Sequence, residues 1–213
     1  MATQAEARSL VVALGEAGTA GNNEEAVRLL RKMVALAGAS QVGHDELVRK
    51  GATLAVVAAL RARQPQVVYD ACKAVTALGE GAVWRRYALE QHGATEQLLR
   101  AARRYRKLPK LQQVALVAVG RLSYKSPILR TALVAQGAAE VAVDAVRRHG
   151  AAHEDVLEAA FWALSLLCVH DDTRSAVVAT RDVRPLLLRA ARAHNYASGC
   201  LLHDALLGPA AAP

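Results

Sequence analysis

Aromatic residues are scarce in this 213-residue chain, at 4% with a single Phe, although 53% of the residues are apolar. A core of that composition must be built from Ala, Val and Leu, which suits close stacking of helices. Cysteine is nearly absent as well. Cys72, Cys168 and Cys200 are an odd number without framework spacing, which excludes a disulfide scaffold. Two of them fall in apolar helical stretches and are expected as small core residues in a reducing compartment. No run approaches 18 uncharged apolar residues, so no spanning helix is expected. The start, Met1-Ala-Thr-Gln-Ala-Glu-Ala-Arg8, has no basic segment followed by an apolar one, which argues against a secretory signal. The expected setting is inside the cell, in cytoplasm or nucleus.

The motifs of chemistry are missing too. There is no phosphate-cradling glycine loop, no G-x-S-x-G and no H-E-x-x-H. His149 and His153 have i, i+4 spacing, but Gly150 lies between them and no third ligand is near, so no metal is expected. Cys200, His203 and Asp204 are close in sequence, yet cysteine nucleophiles usually find their base through folding. Packing with a polar surface accounts for that cluster, and neither catalytic residues nor cofactor are expected.

What is present is a repeat. Gly51, Gly93, Gly137 and Asp182 stand 42, 44 and 45 residues apart, and Leu36, Leu78, Leu122 and Leu167 each lie 15 residues before one of them. A period of 40–47 residues marks a stacked helical array. Around each marker the order is short helix, medium helix, long helix. His44 leads to Gly51, then Ala52 onward, then Val67–Leu78. Trp84–His92 leads to Gly93, then Ala94–Arg104, then Leu111–Leu122. Ser126–Gln136 leads to Gly137, then Ala138–Arg148, then Glu154–Cys168. Met33, Val75, Val119 and Leu164 lie three residues before the marker leucines, on the same helical face.

This three-helix unit resembles the armadillo repeat. Asp182-Val-Arg-Pro-Leu-Leu-Leu is similar to the turn that opens the second helix in that family, with Asp in place of Gly, and Glu158-Ala-Ala-Phe-Trp-Ala-Leu-Ser-Leu-Leu is similar to its long helix. HEAT repeats, with two helices per unit, are the second match. The resemblance covers roughly residues 6–207 and implies an all-α, right-handed α-solenoid of about four repeats with partial terminal repeats. The units run approximately 6–50, 51–92, 93–136 and 137–181, with a partial one at 182–207 and a disordered tail at 208–213. Glu24–Ala37 reads as the first long helix and Asn195–Leu207 as a closing one. A piece of a longer chain and an array with degenerate caps both fit these ends.

In such arrays the third helices line a groove. Nine, five and one residues before the marker leucines, the exposed face carries Val27, Tyr69, Gln113 and Glu158; then Arg31, Lys73, Val117 and Trp162; then Ala35, Ala77, Arg121 and Leu166. The importin-α type places Trp and Asn on this face to hold a basic peptide. Here only Trp162 matches, every Asn is missing, and Arg31, Lys73 and Arg121 would repel a basic chain. Cations fit the catenin type better, which holds acidic, extended partners. The expected function is a non-catalytic interaction scaffold or adaptor that grips an acidic segment, with Trp162 and Tyr69 as anchors. Simple packing of Trp162 with solvated cations is the competing reading.

Ten residues after the markers stand Arg61, Arg103, Arg147 and Arg192. An arginine in the last helical turn offsets the helix dipole, by about 0.3–1 kcal/mol each. The densest stretch, Arg100 to Lys110, holds Arg100, Arg103, Arg104, Arg106, Lys107 and Lys110 around Tyr105. With a net charge of +8, this edge offers an alternative function, binding of nucleic acid or phosphate.

Overall fold

The computed structural model describes residues 2–183 and residue 185, and twelve helices among them. The expected closing helix at 195–207, the tail, Arg192 and the Cys200–His203–Asp204 cluster lie outside the described residues. Contacts divide the chain into two compact units, Met1–Ala101 and Ala102–Pro213.

The first unit begins with α1 (Ala2–Thr19) and α2 (Asn23–Ala39). Asn22 caps α2 by accepting from the Glu25 amide at 3.2 Å, and Glu24 and Glu25 complement the positive end of the helix. Then come α3 (Gln41–Arg49), α4 (Ala52–Ala59), α5 (Pro65–Leu78), α6 (Val83–Glu90) and the greater part of α7 (Ala94–Arg104), whose last three residues fall in the second unit. Ser40 starts α3 by accepting from the Gly43 amide. Gly43 also permits a close approach, because a Cβ there would stand 2.9 Å from the Leu36 carbonyl oxygen. The long helix α2 packs on α5, while α1 covers α2 and α3.

The second unit contains α8 (Pro109–Ser123), α9 (Pro127–Ala135), α10 (Ala138–His149), α11 (Glu154–Leu167) and α12 (Asp171–Ala179). Its main packing is α8 against α11, with α10 against α11 and α9 against α8. Pro65, Pro109 and Pro127 all open helices, where the missing amide hydrogen costs nothing. Pro109 therefore begins α8 and does not merely precede it. Met33, Val75, Val119 and Leu164 are all buried, as are Leu78, Leu122 and Leu167, whereas Leu36 is half-buried.

The repeat markers share one backbone state. Gly51, Gly93 and Gly137 have φ of 89°, 78° and 81°, and Asp182 has φ of 65°. The left-handed conformation turns the chain from the short helix into the medium one, and asparagine or aspartate is the usual substitute for glycine there. Asp182 meets the same requirement with a side chain, and that side chain ion-pairs with Arg147.

Two substitutions separate backbone strain from packing. A Cβ at either Gly51 or Gly15 meets nothing within 4 Å. Gly51→Ala is expected to cost about 1–2 kcal/mol through the left-handed φ alone. Gly15→Ala, inside α1, is expected to stabilise by about 0.5–1 kcal/mol. Urea titrations showing the same sign for both would contradict the assignment of Gly51.

Candidate functional site

All twelve in-register positions on the third-helix faces of α2, α5, α8 and α11 are exposed or half-buried. In the first unit Arg31 reaches from α2 to Asp70 on α5, its Nε donating at 3.1 Å and Nη2 at 3.4 Å. The Asp70 side chain is only 3% exposed and also accepts from Gln66 Nε2 at 2.7 Å. Arg31 thus joins two long helices as well as facing solvent, and removing it would leave a buried carboxylate short of a partner. Lys73 carries its ammonium 5.8 Å from the Tyr69 ring centre, one turn away on α5.

In the second unit Gln113, Val117 and Arg121 line α8, while Glu158 and Trp162 come from α11. The Trp162 ring lies on the backbone of Gly120. A Cβ at that position would fall 2.3 Å from Cζ3 and 2.4 Å from Cε3. Arg121 places its guanidinium 5.9 Å from the same ring. A half-buried indole is thereby held between a bare helix backbone and a cation, next to exposed Glu158.

Two of the arginines ten residues after the markers, Arg103 and Arg147, act between repeats. Arg103 Nη2 donates to the carbonyls of Gln136 and Gly137, at the next marker. Arg147 pairs with Asp182, again at the next marker. Arg61 lies just past the end of α4. Elsewhere on the basic edge, Arg100 pairs with Glu96 at 2.8 Å and Arg104 stands 4.7 Å from the Tyr105 ring, while Arg106 and Lys107 are exposed. His149 and His153 approach edge to face with centroids 6.0 Å apart, but His149 Nε2 is spent on the Arg106 carbonyl at 2.8 Å. Among the described residues no group of three metal-ligating side chains exists. Both described thiols are buried and unreactive, with desolvation pushing Cys72 up to about 12 and Cys168 to about 11.

A set of polar residues, buried except for half-buried Arg174, lies in the short helices. Seven residues before the markers stand His44, Arg86 and Arg130, and eight before stand Arg85 and Arg174. They collect carbonyls at the ends of long helices, which have no partner within the helix. His44 takes Leu78 O at 2.9 Å, Arg86 takes Gly79 O at 2.8 Å and Gly81 O at 3.2 Å, and Arg85 takes Glu80 O at 2.8 Å. In the second unit Arg130 takes Leu166 O, Thr173 takes Leu167 O and Arg174 takes Cys168 O. Arg85 and Arg86 are each 1% exposed. The signal for them was their register, a polar residue at one fixed distance before each marker in an otherwise apolar helix.

His44 is neutral in this arrangement. Its Nε2–H donates to Leu78, so Nδ1 accepts from Arg85 Nη1 at 2.9 Å. Burial holds its pKa below the ordinary 6.5, and the Arg85 charge acts in the same direction. The bond to Leu78 and the carboxylates of Asp45 and Glu80 oppose this without prevailing. The folded state therefore binds fewer protons than the unfolded one as pH falls below about 6.5. Stability is full above that pH and is lost as pH falls towards the lowered value. Thermal melts between pH 7.5 and pH 5 are expected to show this decline, and His44→Gln is expected to flatten it; an unchanged slope in the variant would refute the assignment.

The seat of Trp162 gives a second prediction. In a Trp84→Phe background, Gly120→Ala is expected to drive the indole outward and shift its emission to the red. Unchanged emission would mean that the ring does not rest on Gly120.

No protein-family model and no curated protein matches this chain. Solved structures do match it. The chain is similar to the crystal structure of an engineered protein, with TM-score 0.80 and 19% identity over 94% of this chain and 77% of that one. It is similar to a designed armadillo repeat protein, with TM-score 0.75 and 16% identity over 95% and 91%. A second designed armadillo repeat protein, solved in complex with the peptide (KR)4, gives TM-score 0.72 and 16% identity over 95% and 91%. With twelve helices among the described residues, ordered around left-handed corners, the chain has the all-α, armadillo-type helical-repeat fold.

Proposed function

We propose that this chain is a non-catalytic protein-interaction scaffold whose third-helix faces hold an extended, acidic segment of a partner protein. The observation that carries the reading is a cation set over an aromatic ring on the exposed face of each unit, Lys73 over Tyr69 and Arg121 over Trp162. An extended chain laid there can place carboxylates on the cations and apolar side chains on the rings, with central aromatics and arginines supplying most of the binding energy. A designed relative in fold was solved with a basic peptide. Here the cations at these positions select the opposite charge.

Arg31 belongs to the same face, but Arg31→Glu would place a second carboxylate beside buried Asp70 and confuse folding with binding. The better variant is Lys73→Glu/Arg121→Glu/Trp162→Ala. Fluorescence anisotropy is expected to show the wild type binding a peptide of alternating Asp and Glu in preference to (Lys-Arg)4, with the variant weakened more than about tenfold, or 1.4 kcal/mol. Equal binding by wild type and variant, or preference for the basic peptide, would overturn the reading.

A further inference from the structure

Between Glu96 and Glu140 the chain has no Asp or Glu, and it has nine Arg and Lys. That stretch carries +9 against a whole-chain charge of +8, so the remainder is −1. The basicity of the protein is therefore local, the pattern expected of a polyanion-binding region within an otherwise balanced chain.

Not all nine cations are available. Arg130 is buried on Leu166 O, Arg103 holds the next corner, Arg121 lies on Trp162 and Arg100 pairs with Glu96. Lys125 follows α8 beside the Tyr124 ring and Arg104 has contacts of its own, while the other three lie in the loop after α7 and at the start of α8. Arg106, Lys107 and Lys110 are exposed there, and among the described residues none of them has an ion pair. The conformation of this loop is fixed at three points. Gln112 donates from α8 to Ala102 O at 2.8 Å and Tyr105 O at 3.3 Å, and His149 donates across the repeat to Arg106 O at 2.8 Å. The last bond sets the C-terminal turn of α10 beside the loop. Arg104, 4.7 Å from the Tyr105 ring, adds a planar cation and an aromatic face to the same loop.

We propose that the loop of Arg104, Arg106, Lys107 and Lys110, pinned by His149, is a second binding site that takes the phosphates of single-stranded RNA. Fixed cations meet backbone phosphates irrespective of sequence, and an aromatic ring beside them offers a base a surface to stack on. A membrane fits less well, because Leu108, 39% exposed, is the one large apolar side chain of this loop that faces solvent. The site is centred on the loop between α7 and α8, whereas Trp162 and Tyr69 stand within long helices. His149 acts through the Arg106 backbone and is a positioning residue.

The test is anisotropy of a fluorescein-labelled uridine dodecamer with the full chain across a salt series. Relative to wild type, Arg106→Gln/Lys107→Gln/Lys110→Gln should lose more than tenfold in affinity at low salt. Its log–log salt slope should be shallower by about 2, since each phosphate contact contributes about 0.7 for a single strand. His149→Ala should weaken binding less and leave the slope nearly intact, because it removes the support and no loop cation. Both variants should melt as wild type does, and His149→Ala should keep wild-type affinity for the acidic peptide. The same affinity and slope in wild type and the triple variant would overturn the proposal. So would binding to phosphatidylserine vesicles without binding to the RNA.

Discussion

The carbonyl oxygens at the ends of α5 and α11 cannot be satisfied within those helices, and the structure depends on how they are met. Leu78, Gly79, Leu167 and Cys168 at these ends are buried, which keeps water from most of the carbonyls. The fold places His44, Arg85, Arg86, Arg130, Thr173 and Arg174 there instead, each donating to a carbonyl beyond the last complete turn. Burying a guanidinium is costly unless its donors are used. Arg85 meets that condition through Asp45, His44 and Glu80. Because these donors hold the ends of α5 and α11, they help to fix which residues of those two helices face outward.

That constraint carries through to the candidate faces. Register decides that Met33 and Val75 go inward and that Tyr69 and Lys73 do not. In the second unit a missing side chain does equal work. Gly120 leaves room for Trp162 to lie on the helix backbone, and Arg121, the next residue, is thereby placed over the ring. The two cation–aromatic pairs are built differently, within one helix in the first unit and between two in the second.

Much of the fold could be read in the sequence, because the repeat is a statement about backbone conformation. Gly51, Gly93, Gly137 and Asp182 share a left-handed φ, and aligning them places the helices from α3 to α11 within a few residues. Boundaries were less legible where proline opens a helix, as Pro109 does for α8. The exposed face was legible too, since positions four apart share one side of a helix. Which exposed cations are already engaged was not. Arg31 has its partner 39 residues away and Arg103 has its own 33 residues away, and no local pattern encodes such distances. The polar residues seven before each marker were visible as a register but not as donors, since their acceptors are backbone atoms of another helix.

The link from Arg103 to the corner at Gly137, and from Arg147 to the corner at Asp182, also bears on how the array can change in length. In these two links a repeat supplies an arginine to the corner that follows, and Arg147 belongs to the repeat whose own corner, at Gly137, receives the arginine before it. A cut made at the same phase in two units therefore removes one arginine and one corner together, and the remaining pairs close again. A cut out of phase leaves an arginine without its corner, or a corner without its arginine. Insertion and loss by whole periods are thus built into the joinery of the chain, and the position of the cut matters more than the number of residues removed.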